Sequence, residues 1–315
     1  MGDTFCTIIT EDYMHQALTL RDSIRIFDAT IKYSILIASS SSDCINIDLN
    51  GLEGIDLYFL DDIEHQGNAK NICKKYSKNK DALRWSLKPV LLQYLLFEKK
   101  FTKAIFLDSD LYFFCNYDFL FKDLDIYNII LSPHWRSIDP VRDNKNFYLT
   151  FSEGVFNGGF VGANQKSGDF LQWWARACEY ECSVNKHQGM YVDQKFLDAV
   201  PAIFDNVGII KNKGCNVANW NQVLCRRTVN PQGKVVINHK EPIVFIHFTN
   251  STIKGILSGQ DSHLSAYLEQ YLENVNCYLK DVDVSVMMSS RKNSRTKVDR
   301  VDKFSRLLKK IIKSI

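Results

Sequence analysis

The sequence predicts an α/β protein built on a mostly parallel central sheet flanked by helices, and two observations predict it. Short apolar runs of strand type alternate with helical segments of roughly ten to fifteen residues, the pattern of successive strand–helix–strand units. Several runs also end in polar residues. The plainest is "KAIFLDSDLYFF" at 103–114, where an apolar stretch leads into Asp108 and Asp110. Open sheets of this class bind ligands outside the carboxyl ends of their strands, so the two acids stand where a ligand is expected.

The elements follow in order. "FCTIIT" (5–10) reads as the first strand, and residues 11–27 as a helix with Met14, Ala17, Leu18 and Ile24 at helical spacing. "KYSILIAS" (32–39) and "GIDLYFLDD" (54–62) read as the second and third strands. Residues 81–99 read as one helix that Pro89 either begins or kinks. The strand that ends at Asp108 comes next. In the second half, "EGVFNGGFVGAN" (153–164) reads as a strand broken by glycines, which suit the close approach of a ligand or another backbone. Residues 167–181 predict a helix with Ser167 as N-cap. Residues 189–201 predict another, ended by Pro201, and "PIVFIHFTN" (242–250) a buried strand with a polar end.

Hydrophobic residues make up 45% of the chain and charged ones 24%, which is material for a sizeable core. The net charge of +3 hides an asymmetry: residues 291–315 hold ten Lys or Arg against two Asp, an excess of eight, so the rest of the chain carries −5. A linker begins at Val286. It leads to a helix in which Val298, Val301, Phe304, Leu308, Ile311, Ile312 and Ile315 line one face and basic residues the other. The expected division is therefore a catalytic domain over 1–285 and a linker with a basic amphipathic helix over 286–315. Such a helix suits an anionic membrane interface. No run reaches the roughly eighteen apolar residues of a spanning helix, and residues 1–10 have no secretory-signal pattern. The nine cysteines are expected to be reduced and mostly buried, with no zinc site. The implied location is the cytoplasm, at the inner face of the membrane. No nucleic-acid-binding module is present.

Asp108 and Asp110, one residue apart at a strand end, are able to aim two carboxylates at one hard cation such as Mg²⁺ or Mn²⁺. The ordinary alternative is a helix N-cap beside a surface acid. Asp-x-Asp by itself does not separate the two.

The context does. Over roughly residues 4–260 the sequence resembles the nucleotide-sugar glycosyltransferases of the GT-A fold, and most of all the family-8 group of galactosyl- and glucosyltransferases that includes glycogenin. Six segments carry the likeness in order: "CTIITEDYMHQALTLRDSI", "LKPVLLQYLL" before "AIFLDSDLYFF", "FNGGFVGAN", "YVDQKFLDAV", "VANWN" and "IVFIHFTNSTIKGI". Three positions depart from the family's pattern: Gly158 replaces a serine, Asn250 a glycine, and Lys254 is followed by Gly255-Ile256 instead of Pro-Trp.

The resemblance implies roles residue by residue. Asp108, Asp110 and His247 would ligate Mn²⁺ or Mg²⁺, with Asp108 also on the donor side. Thr10 and Tyr13 would contact the nucleotide, Tyr13 by stacking on the base, and Lys88 would lie near the donor. Lys254 would reach the diphosphate as a point charge. Asn157, Asp193 and Gln194 would surround the sugar, with Gln194 at the open face of the anomeric carbon. Each has a plainer role available: a strand-end histidine, an N-cap aspartate, a turn asparagine, a core tyrosine. Trp173, Trp174 and Trp220 read as packing residues, Trp220 also as a border of the acceptor pocket.

The implied activity is metal-dependent transfer from a nucleoside-diphosphate sugar, a UDP-sugar above all, with retention. The acceptor would be a hydroxyl of a glycan or lipid-linked glycan in surface polysaccharide or lipopolysaccharide synthesis. No conspicuous nucleophile is needed, because the activated bond is already in the donor. Two other functions compete. A sugar nucleotidyltransferase needs a glycine-rich loop after the first strand, and "TIITEDYMHQA" has no glycine. A binding protein that kept the fold and lost catalysis would not need the acids and His247. Oligomerisation is compatible with the sequence.

Overall fold

The structure is a computed structural model that describes residues 2–43, 52 and 54–279. The expected linker and basic helix over 286–315, and the boundary at 285, lie outside the described residues. The strands that position the site are β1 (Thr4–Ile9), β2 (Lys32–Ile37), β3 (Ile55–Phe59), β4 (Lys103–Leu107), β5 (Leu111–Phe113), β6 (Ile129–Pro133), β7 (Phe156–Asn164), β8 (Val207–Ile209) and β9 (Phe245–His247). All but β5 and β9 form one seven-stranded sheet, in spatial order β8-β6-β7-β4-β1-β2-β3. β7 runs against both of its neighbours, and the other pairings in this sheet are parallel.

The unbroken apolar run of β4 follows from burial on both faces. Ala104 and Phe106 point into one helical layer, and Ile105 and Leu107 into the other. A strand side chain alternates faces, so a sheet covered twice needs apolar residues at every position. The first layer holds the helices Ala69–Tyr76, Lys88–Gln93 and Gly168–Tyr180, and the second holds Met14–Arg25 and Asp118–Ile126. Each large side chain buried in either layer stabilises the fold by about 1.5–3 kcal/mol. A third cluster packs Tyr112 and Ile246 of the β5–β9 ladder against the helix Ser265–Leu279.

Several expectations are corrected. Residues 81–99 are not one helix: Lys80–Ser86 ends, Pro89 stands in the first turn of Lys88–Gln93, and a π-helical turn follows at Tyr94–Glu98. On the first helix Leu20 is fully buried with Ala17 and Ile24, and Leu18 only half-buried. β7 is not broken by its glycines, because neighbouring side chains fill the space they leave; a Cβ on Gly162 would sit 2.4 Å from Ile130 Cγ1. Ser167 forms no side-chain cap, and its Oγ donates instead to Asn164 O at 2.6 Å. Residues 189–201 are not a single helix. A two-residue strand, a 3-10 helix Gln194–Ala199 and a short turn Val200–Ile203 replace it, and Pro201 begins that last turn instead of ending a helix. The strand expected over 242–250 is three residues long and lies outside the central sheet.

Candidate functional site

The site forms where β4 ends. Asp108 adds one more sheet hydrogen bond, its N–H donating to Gly159 O at 2.9 Å, and the chain then turns. It returns as β5, which pairs with β9, and Phe248 N donates to Asp110 O at 2.8 Å. That register sets His247 opposite Leu111 and brings its Nε2 to 2.9 Å from Asp110 Oδ1 and 4.0 Å from Asp108 Oδ2. One ligand atom from each of the three residues lies within 4.8 Å of the others. The His247 side chain is 5% exposed, against 35% and 27% for Asp108 and Asp110, so the cluster meets solvent through its carboxylates.

Glycine makes this closeness possible. A Cβ on Gly159 would sit 2.6 Å from Asn157 Oδ1, 2.7 Å from Asp108 Oδ2 and 2.8 Å from His247 Cε1. A Cβ on Gly158 would sit 2.8 Å from both Asp193 Oδ2 and Gln194 Cβ, so a serine does not fit this arrangement. Asn216 backs the histidine, with Oδ1 at 3.4 Å from His247 Nδ1 and Nδ2 donating to Pro133 O. It does so from a left-handed backbone at φ 59°, a conformation asparagine tolerates better than most residues.

Charge in the site is closely matched. Burial disfavours the His247 cation, but the Asp110 carboxylate outweighs it and raises the imidazole above its ordinary value. Burial likewise works against the Asp110 anion, and His247 more than offsets it, holding that carboxyl low. Lys88 enters from the first turn of its helix. Its Nζ lies 3.2 Å from Asp108 Oδ1 and 3.2 Å from Asp193 Oδ2, and donates to Gly158 O at 2.8 Å. Burial opposes the ammonium charge, yet Asp108 and Asp193 together push it up to about 12. Asp193 is buried outright, which raises its carboxyl to about 6, with Lys88 pulling down and Asp108 pushing up.

Asn157 and Gln194 line the same edge through backbone contacts. Asn157 Oδ1 accepts from Gly159 N at 2.7 Å, and Gln194 Oε1 from Gly158 N at 3.1 Å. Gln194 Nε2 donates to Glu153 O at 2.8 Å, so both ends of its amide are held. Thr10 follows β1, buried, with Oγ1 donating to Asp12 Oδ1. Tyr13 closes the short turn Glu11–Tyr13, and the Arg84 guanidinium lies 4.9 Å from its ring centre. Lys254 is exposed on the helix Asn250–Leu257, which begins three residues after His247, and forms no ion pair with the acids among the described residues. Trp220 packs edge-on to His247 at 5.5 Å, its Nε1 donating to His134 O. Sequence reasoning missed Arg84, whose charge helps to lower Asp110 and which stands on the helix just before the one that Lys88 opens. It also missed Glu153, which acts through its backbone carbonyl and so leaves no side-chain signal.

Two carboxylate ligands and an imidazole, closely set and open on one side, fit Mg²⁺ or Mn²⁺ with room for substrate oxygens.

No family model matches the chain. Among curated proteins it is 24% identical over 263 residues to the uncharacterized protein YfnF of Bacillus subtilis (strain 168), covering 81% of this chain and 84% of that one. It is 29% identical over 177 residues to YfnD of the same strain, covering 54% of this chain and about half, 53%, of that protein. Among solved structures it is similar to the galactosyltransferase LgtC in complex with donor and acceptor sugar analogs, with TM-score 0.50 and 17% identity over 88% of this chain and 96% of that one. An active-site mutant of LgtC matches with TM-score 0.53 and 15% identity over the same shares, 88% and 96%. The fold is that of the GT-A glycosyltransferases.

Proposed function

We propose that the chain is a divalent-cation-dependent glycosyltransferase. It would move a sugar from a UDP-sugar, with retention, to a hydroxyl of a glycan or lipid-linked glycan in surface polysaccharide or lipopolysaccharide synthesis. One observation carries the reading: Asp108, Asp110 and His247 converge, with Lys88 beside them, at the carboxyl edge of a GT-A sheet.

In this reading Asp108, Asp110 and His247 hold Mn²⁺ or Mg²⁺, which when bound offsets the charge of the departing diphosphate. His247 would hold the cation as the neutral imidazole, so its raised affinity for a proton would compete with the cation for the same nitrogen. Lys88 fixes two carboxylates at once, so Asp108 stays aimed at the cation side and Asp193 at the sugar side. Gln194, held at both ends of its amide, presents a fixed polar edge to the sugar. Asn157 shapes the Gly159 backbone beneath it. Thr10 and Tyr13 take the nucleotide at the end of β1, and Lys254 the diphosphate. The basic helix expected over 298–315 carries the enzyme to the inner face of the membrane.

The test is a thermal-shift panel of UDP, GDP, dTDP and CMP, each with and without Mn²⁺, on the wild type and Asp110→Asn. A ligand at a hundred times its Kd stabilises by about 2.7 kcal/mol. The expected result is a shift with UDP that needs both Mn²⁺ and Asp110. No cation-dependent shift with any nucleotide would make the acids structural and favour a binding protein of the same fold.

A further inference from the structure

Away from the site, a short stretch of the body is dense in charge of a single sign. Residues 65–80 contain Lys70, Lys74, Lys75, Lys78 and Lys80 and no acid. All five are exposed. None of them joins an ion pair among the described residues. Lys70 and Lys74, four apart on the helix Ala69–Tyr76, share a face. That helix packs against Gly168–Tyr180, so Lys74, Lys75, Arg176 and Tyr180 line one open depression. The acid at its edge, Glu179, is engaged by the amides of Asn68 and Asn71. Lys75 donates to Glu179 O at 2.8 Å and so caps the helix end. The other cations have no such structural task. Tyr180 stands among them 78% exposed.

We propose that this face is a docking surface for an anionic lipid bilayer. The residues before 291 carry −5, and 65–80 contribute +5 of that, which leaves −10 for the remainder. A second acid-free stretch, 206–240, holds six Lys or Arg, of which only Lys211, Arg226, Lys234 and Lys240 are exposed, so positive charge is densest at 65–80 and in the C-terminal segment and an anionic surface favours this face. A soluble polyanion would need only the lysines. The exposed tyrosine among them matches the headgroup level, where aromatic rings gather. The second basic segment on the same chain, with its apolar stripe, points to the same partner. The last lysine of the run opens the helix Lys80–Ser86, and Lys88, at the start of the next helix, reaches Asp108. Docking would therefore hold the site's edge close to lipid-linked acceptors. This orientation rests on the proposed function, and the docking does not.

The experiment is co-sedimentation of the full chain with phosphatidylcholine vesicles, with and without phosphatidylglycerol. One variant combines Lys70→Gln, Lys74→Gln, Lys78→Gln and Arg176→Gln, and a second combines Lys309→Gln, Lys310→Gln and Lys313→Gln. The expected result is a loss of at least about tenfold in partitioning to the phosphatidylglycerol vesicles for the first variant, with its melting temperature unchanged. A first variant that binds like the wild type, a loss confined to the second variant, or a wild type indifferent to phosphatidylglycerol would each overturn the proposal. The Mn²⁺- and nucleotide-dependent thermal shift, read on the same samples, reports separately on the proposed function.

Discussion

The two arms of the site are held in place by different means. Asp108 and the Gly158–Gly159 stretch ride on β4 and β7, mid-sheet, where Phe106, Leu107, Phe160 and Val161 are buried on both faces. Asp110 and His247 ride on a three-residue ladder outside the sheet. That ladder is clamped from two sides. Phe245 stacks on Phe160 at 5.7 Å and 7° and tilts against Phe113 at 5.0 Å, while Tyr112 and Ile246 pack toward the helix Ser265–Leu279. The sheet therefore sets where the site lies, and the ladder sets how closely its ligand groups converge.

Gly159 is where the arms meet, and the largest effect is expected there. Gly159→Ala puts a methyl inside 3 Å of groups on both arms, so Asp108 and His247 must separate. The Mn²⁺-dependent nucleotide shift should vanish, and transfer activity should fall by about a thousandfold or more, near 4 kcal/mol. An alanine variant that keeps the cation-dependent shift would show that the arms are looser than their contacts imply. Phe245→Ala comes next and acts on the ladder's clamp. Removing a buried ring costs about 3–5 kcal/mol, seen as a lower urea midpoint at unchanged slope. Phe170→Ala, in the helix layer on the other face of the sheet, should cost as much in stability but disturb Mn²⁺ binding less, because its ring packs on Trp174 and Phe204 and not on the ladder. Equal damage to the cation site from both would erase the distinction between the arms. Asn216→Ala leaves the ladder pairing in place, frees the far side of the imidazole and also removes the bond to Pro133 O from a left-handed position. Partners behind a ligand of this kind are worth about 10–100-fold in metal affinity. A Mn²⁺ titration of the nucleotide-dependent shift should move by that factor, while stability without Mn²⁺ falls by about 1–3 kcal/mol, less than for Phe245→Ala.

The same contrast explains what could be read from the sequence. The sheet arm was legible, because burial on both faces writes an unbroken apolar run and a strand end exposes its acids, as at 104–110. The acid pair, His247, Lys88, Asn157, Asp193 and Gln194 were named from an ordered set of motifs, and the structure brings them together. The ladder arm was not legible as a ladder, since a three-residue strand has no periodicity to detect. The surroundings of Gln194 were misread for a related reason. The apolar spacing of Phe196, Leu197 and Val200 is helical, but Val192 turns the chain at φ 46° and Trp174 Nε1 holds Asp193 O at 3.0 Å. Tertiary contacts override the local pattern there. Lys254 matched a motif by position, and the structure leaves it exposed on its helix.

The smallest expected effect concerns the pocket behind the ladder arm. His134 is 2% exposed, and its Nδ1 lies 3.1 Å from Gly154 O. A carbonyl only accepts, so Nδ1 carries the proton. Burial, with Arg136 and His247 adding positive charge nearby, holds the imidazole well below its ordinary value. The folded state thus keeps His134 neutral while the unfolded chain takes up a proton below about pH 6.5. A lowered folded value makes its share of stability full above that pH and lost as pH falls beneath it, by at most about 1.4 kcal/mol per pH unit. His134→Asn keeps a side-chain N–H for Gly154 O and removes the titration. Urea midpoints of the wild type and the variant should run parallel above pH 7 and converge or cross between pH 6.5 and 5, as the wild type alone loses this increment. Parallel curves throughout would mean that His134 charges within the fold. The ladder arm would then tolerate a charge beside His247 that its burial argues against.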